Sequence, residues 1–68
     1  MLHNIRMQHG IKISEIAVKA KLSRPTIERA EKGRFVSEFS ASAIARAISE
    51  MSGQKYSAED LGINVRGG

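Results

Sequence analysis

Between positions 19 and 34 the chain places Lys19, Lys21, Arg24, Arg29, Lys32 and Arg34 against only two carboxylates, Glu28 and Glu31. Cations at that density neutralise and hydrogen-bond anionic oxygens, those of phosphates above all. The local excess of four equals the formal net charge of +4, because the five basic and five acidic side chains elsewhere cancel. The basicity is therefore a patch and not a general property of the surface. Other chemistries lack their residues. There is no cysteine, and His3 and His9 face different ways on one short helix, so no metal-ligand set is formed. No group of His, Cys and carboxylates converges, and 68 residues leave little volume for a pocket. Neither an enzyme, a cofactor nor a small-molecule ligand is expected.

The patch needs a scaffold, and the apolar spacing supplies one. Leu2, Ile5, Arg6 and His9 share an arc of a first short helix that Gly10 ends. From Ile13 to Ala20 the residues Ile13, Ile16, Ala17 and Ala20 form an inward stripe, while Glu15 and Val18 project away from it. Lys21-Leu22-Ser23 reads as a tight turn. Ser23 suits an N-cap, and Pro25 suits the first turn of a following helix, where its missing N–H costs nothing. On that third helix Thr26, Ile27 and Ala30 point inward, and Arg24, Pro25, Glu28, Arg29 and Lys32 wrap the opposite side. Gly33 closes it.

A loop through Arg34 to Phe39 leads into an alanine-rich fourth helix, expected from about 41 to 51, with Ser42, Arg46, Ser49 and Glu50 on one side and Gly53 at its end. Ser57-Ala58-Glu59-Asp60 resembles a capping box, with Asp where Glu is usual, and opens a single final helical turn. The tail alternates Leu61, Ile63 and Val65 with Gly62, Asn64 and Arg66, the pattern of a short edge strand. These readings give one all-α domain over 1–62, a compact bundle of five short helices, and a tail over 63–68 that is either a dimerising strand or disordered. Its stability margin is thin at this length. No run of eighteen apolar residues and no leader-like segment is present, so no membrane partner is expected and a cytoplasmic location is.

A helix that reads base edges in the major groove needs an exposed polar face and a rear face pinned by a partner helix. Ala17 is small where two such helices cross, Leu22 plugs the turn, and Ile27 and Ala30 anchor the exposed helix. The stretch from Ile5 to Gly33 carries Gly10-Ile11, Glu15-Ile16-Ala17, Leu22-Ser23, Ile27 and Glu31-Lys32-Gly33, and it resembles the lambda-repressor-like, Xre/Cro family of helix-turn-helix regulators. The likeness extends more loosely to about Leu61.

By this resemblance Arg24, Pro25, Glu28 and Arg29 fall where the family's base-reading side chains project. Ser23, Thr26, Lys32 and Arg34 fall near the sugar-phosphate backbone, where contacts position a protein without reading sequence. Arg6 and Glu31 fall on the family's buried pair linking the first and third helices. Two positions depart from the pattern. Lys21 stands where the family has glycine, so a left-handed backbone there carries roughly 1 kcal/mol of strain, partly offset by a phosphate-facing charge. Lys12 and Ile13 replace the customary Ser or Thr and Gln, so one phosphate contact is lost and Lys12 substitutes at longer range.

The function implied is a sequence-specific regulator of transcription that binds double-stranded DNA, a repressor that occupies its operator. One reader helix spans only a few base pairs, so a homodimer on a palindrome is expected, with Tyr56, Leu61, Ile63 and Val65 as candidate dimer contacts. A second reading is a protein-binding module, an antitoxin or an adaptor, with Val18, Ile13 and the tail as its apolar surface. Arg24 and Glu28 also have the i, i+4 spacing of an ion pair, which would leave Arg29 as the lone reader. His3, His9, Phe35, Phe39 and Tyr56 are expected to pack and not to ligate or stack on bases, because they are not interleaved along the basic surface.

Overall fold

The computed structural model describes residues 1–66. Four helices form among them: α1 (Leu2–Gln8), α2 (Ile13–Ala20), α3 (Arg24–Glu31) and α4 (Glu38–Ser52). Gly67 and Gly68, part of the tail that the sequence leaves open between strand and disorder, lie outside the described residues.

One device closes most of these elements. Backbone amides at positions 10, 21, 33 and 62 each donate three residues back, and their successors donate five residues back, as in Leu22 N to Ala17 O at 3.0 Å and Arg34 N to Arg29 O at 3.0 Å. This double bond pattern requires a left-handed residue at its centre. Glycine fills it three times, and Lys21, with φ 58° and ψ 44°, is the fourth and the only non-glycine residue with positive φ. The turn keeps its left-handed geometry despite the Cβ.

Ile16, Ile27, Ile44 and Ile48 are fully buried at the centre, and Leu2, Ala17, Ala30, Val36, Leu61 and Ile63 pack around them. Ala41, Ala45 and Ala47 give α4 a flat inner face that lets α2 and α3 approach closely. Every buried side-chain polar atom among the described residues has a partner, and the core contains no buried polar residue.

Three expectations are corrected. α4 begins three residues earlier than the sequence pattern indicates, because Ser37 caps it: Ser40 N donates to Ser37 Oγ at 3.1 Å. Val36 and Ala41, on either side of that cap, are both buried and staple the helix start. There is no fifth helix. Ser57 and Asp60 do exchange both capping bonds, Ser57 N to Asp60 Oδ2 at 2.9 Å and Asp60 N to Ser57 Oγ at 3.0 Å, but the left-handed Gly62 ends the segment after a single turn. Nor do the described residues of the tail form a strand. It makes one parallel bridge, Val36 to Val65, with Val36 N donating to Asn64 O at 3.0 Å and Arg66 N to Val36 O at 2.8 Å. Among the described residues no helix is long and apolar enough to cross a membrane.

Candidate functional site

α3 owes its outward face to its rear. Ile27 is 0 % exposed and Ala30 2 %, which fixes the helix's rotation about its own axis and turns Arg24, Pro25, Glu28 and Arg29 to solvent. Burying those two apolar side chains anchors the helix by a few kcal/mol. Arg24 and Glu28 make no ion pair. Salt bridges among the described residues join only His3 to Glu31, Arg6 to Glu31 and Lys19 to Glu50. The exposed guanidinium groups of α3 are therefore free to meet an external anion.

A polar clasp sets the helix's tilt. Glu31, in the last turn of α3, accepts from Nε of Arg6 on α1, and Arg6 Nη2 lies 3.4 Å from Glu31 Oε1. Both side chains are nearly enclosed, at 13 % and 11 % exposure. Arg6 Nη1 also donates to Ile11 O at 3.1 Å, and His3 Nδ1 sits 3.2 Å from Glu31 Oε1. One guanidinium thus ties the end of α3, the loop before α2 and α1 into a single unit.

The flanking positions divide. Ser23 is the N-cap residue of α3, but its hydroxyl pairs with the Thr26 hydroxyl at 2.9 Å and makes no bond to a backbone amide. Amides in the first turn of α3 are left without a side-chain acceptor from Ser23. Lys32 and Arg34 are exposed just past the end of α3, on either side of Gly33. The loop they occupy is fastened from the far end of the chain, where Asn64 Nδ2 donates to Gly33 O at 2.6 Å. Lys12 is exposed at the start of α2, where its backbone N donates to Glu15 Oε1 at 2.8 Å. Lys21 goes elsewhere: it lines a groove between α2 and α4 together with Lys19 and Arg46.

The expected dimer contacts are mostly used up inside the monomer. Leu61 is 1 % and Ile63 7 % exposed, and Val65 is half-buried in its bridge to Val36. The alternating tail pattern satisfies its own chain. Tyr56 is half-buried, with its hydroxyl 3.1 Å from His9 Nε2 and donating to Gln54 Oε1 at 2.9 Å, so it ties the segment after α4 to the end of α1. Phe35 and Phe39, expected to pack, are instead 59 % and 76 % exposed. Val36 takes the core position beside Phe35, and Ala41, not Phe39, is the inward residue of the first turn of α4. Because α4 starts at Glu38 and not near 41, Phe39 lies on it seven positions before Arg46, and the two share one side of the helix.

Comparison with protein-family models, with curated proteins and with solved structures finds no match to this chain.

Proposed function

We propose that this domain is a sequence-specific, duplex-DNA-binding regulator of the lambda-repressor-like, Xre/Cro helix-turn-helix type, with α2 and α3 as the motif and α3 as its reader. The observation that carries this reading is the unpaired, outward polar face of α3, backed by Ile27 and Ala30 and held in tilt by Arg6 and Glu31. A rigid rod with free guanidinium groups on one side suits the major groove, where arginine makes bidentate bonds to guanine and a glutamate accepts from cytosine N4. Arg24, Pro25, Glu28 and Arg29 are assigned to base edges. Ser23, Thr26, Lys32, Arg34 and Lys12 are assigned to the sugar-phosphate backbone, which fixes register.

A single α3 contacts too few base pairs for useful selectivity, so the reading includes two copies on a palindromic operator. The body is 31 Å along its longest axis. Half-sites about 34 Å apart would set two such bodies edge to edge, close enough for limited contact. With Leu61 and Ile63 enclosed in their own core, that contact does not come from a shared tail strand. Occupying the operator would make the domain a repressor that needs no cofactor.

Selection from a random duplex library tests the proposal directly. A recovered palindrome with half-sites one helical turn apart is the expected result. On that duplex Arg29→Ala should lose about 1 to 3 kcal/mol and relax one base position, whereas Lys32→Ala should weaken all sequences alike and reduce the salt slope by about 1. Affinity independent of salt, or a neutral Arg29→Ala, would refute the assignment.

A further inference from the structure

A second feature stands apart from the reader face. Lys19, Lys21, Phe39, Ser42, Arg46 and Glu50 line a trough of about 310 Å³ between the C-terminal half of α2 and the length of α4 from Phe39 to Glu50. Next to it, and sharing Lys19, a shallower depression runs between Val18 and Met51 toward the start of α2. Together they form one seam along about 10 Å of the α2 axis, from Ser14 to Lys21 at 1.5 Å per residue. Its two ends differ in chemistry. At one, Phe39 is 76 % exposed among cations, and at the other Val18 is 79 % exposed beside a methionine. Among the described residues the two most exposed of the large apolar side chains therefore lie on one seam.

The shallower part carries Glu15 beside Lys19, and the unbalanced charge lies in the deeper part. Glu50 is the only carboxylate in the deeper part, and it already faces Lys19 Nζ at 3.0 Å. Among the described residues Lys21 and Arg46 have no carboxylate within 4 Å. Lys21 also holds the left-handed position that closes α2, so the backbone fixes the direction from which its side chain leaves.

We propose that this α2–α4 seam receives an acidic, amphipathic segment of a partner protein. Carboxylates of the segment meet Lys21 and Arg46, and its apolar side chains cover Phe39 at one end and Val18 and Met51 at the other. Three alternatives fit the surface less well. A small molecule would stay largely in water, because the trough is open along its length. A second copy of this chain placed trough to trough would set Lys21 and Arg46 against their like, with Glu50 already held by Lys19. A duplex backbone would satisfy the charges but leave Val18 and Met51 uncovered. The assignment does not depend on α3 reading DNA, since none of the four base-reading residues lies on the seam.

The test uses the full chain and a fluorescein-labelled amphipathic peptide of about three helical turns, with leucines at i, i+3, i+4 and i+7 and glutamates on their flanks. Fluorescence anisotropy is read with Phe39→Ser and Arg46→Glu. Both positions are exposed and outside the core, so the variants retain the fold, checked by circular dichroism. Saturable binding is expected, weakened at least about tenfold by either substitution and by replacing the peptide's glutamates with glutamine, while the affinity for a selected duplex is unchanged. The proposal is overturned if the peptide does not bind, or binds both variants as well as the parent. It is equally overturned if the variants cost duplex binding as much as Arg29→Ala, which would give the seam to nucleic acid, or if they convert a dimer to a monomer in light scattering, which would give it to a second copy.

Discussion

Replacing Glu31 with alanine is the most informative change in this fold, because one carboxylate receives Arg6 and His3 and sits at the hinge between α1 and α3. Arg6 is 87 % covered, its complement to 13 % exposure, so removing its partner strands a guanidinium left with the Ile11 carbonyl and, at 3.3 Å, the exposed His3 Nδ1. Breaking a buried pair by deleting one member costs about 3 to 5 kcal/mol. The clasp lies at the edge of the core and some water reaches the freed guanidinium, so about 2 to 3 kcal/mol is the expected loss. At roughly 4 to 8 °C per kcal/mol for a domain of this size, the melting temperature should fall by about 10 to 20 °C. Urea unfolding followed at 222 nm measures it. The reasoning makes a sharper claim about the pair. Arg6→Met with Glu31→Leu removes both charges together, leaves nothing stranded, and should recover most of the loss. If Glu31→Ala costs under about 0.5 kcal/mol, or the double substitution costs more than either single one, the clasp is not the stabilising contact described here.

Lys21→Gly should raise stability by about 0.5 to 1 kcal/mol, by removing a Cβ from a left-handed position, with the gain read in the same urea titration. Ser37→Ala should lower it by about 1 kcal/mol, since Ser37 Oγ is the acceptor for Ser40 N at the start of α4. Ile27→Ala should cost about 2 to 5 kcal/mol and, on the proposed function, reduce duplex affinity together with stability, because the same side chain fills the core and seats the outward face of α3.

Helix α2 was legible to the residue and α3 at its start, while α3 ends at Glu31 and not at the Gly33 that marks its close in the sequence. An apolar stripe, a turn and Pro25 all mark the same boundaries, so local preference and tertiary packing agree. The start of α4 was less so: Ser37 and Glu38 signal a helix start, but Phe39, an exposed aromatic in the first turn, reads as loop-to-core packing. Period-two alternation in Leu61, Ile63 and Val65 reports that one side of the tail is covered, and carries no information on whether its own chain or another covers it. The hydroxyl of Ser23 illustrates the same limit at smaller scale, since a serine at an N-cap can bond forward to an amide or sideways to a neighbouring hydroxyl. The α2–α4 seam escaped sequence reading because Lys21, Arg46 and Val18 sit on different elements and meet only when α2 packs along α4.

The stitch from Asn64 and Val65 back to Gly33 and Val36 has a consequence for biosynthesis. It joins segments about thirty positions apart, so the loop after α3 lacks this fastening until the chain through residue 66 has left the ribosome. A nascent polypeptide halted before that point would carry α2 and α3 complete in outline but without their last fastening, and the domain would gain its working shape in one late, cooperative step.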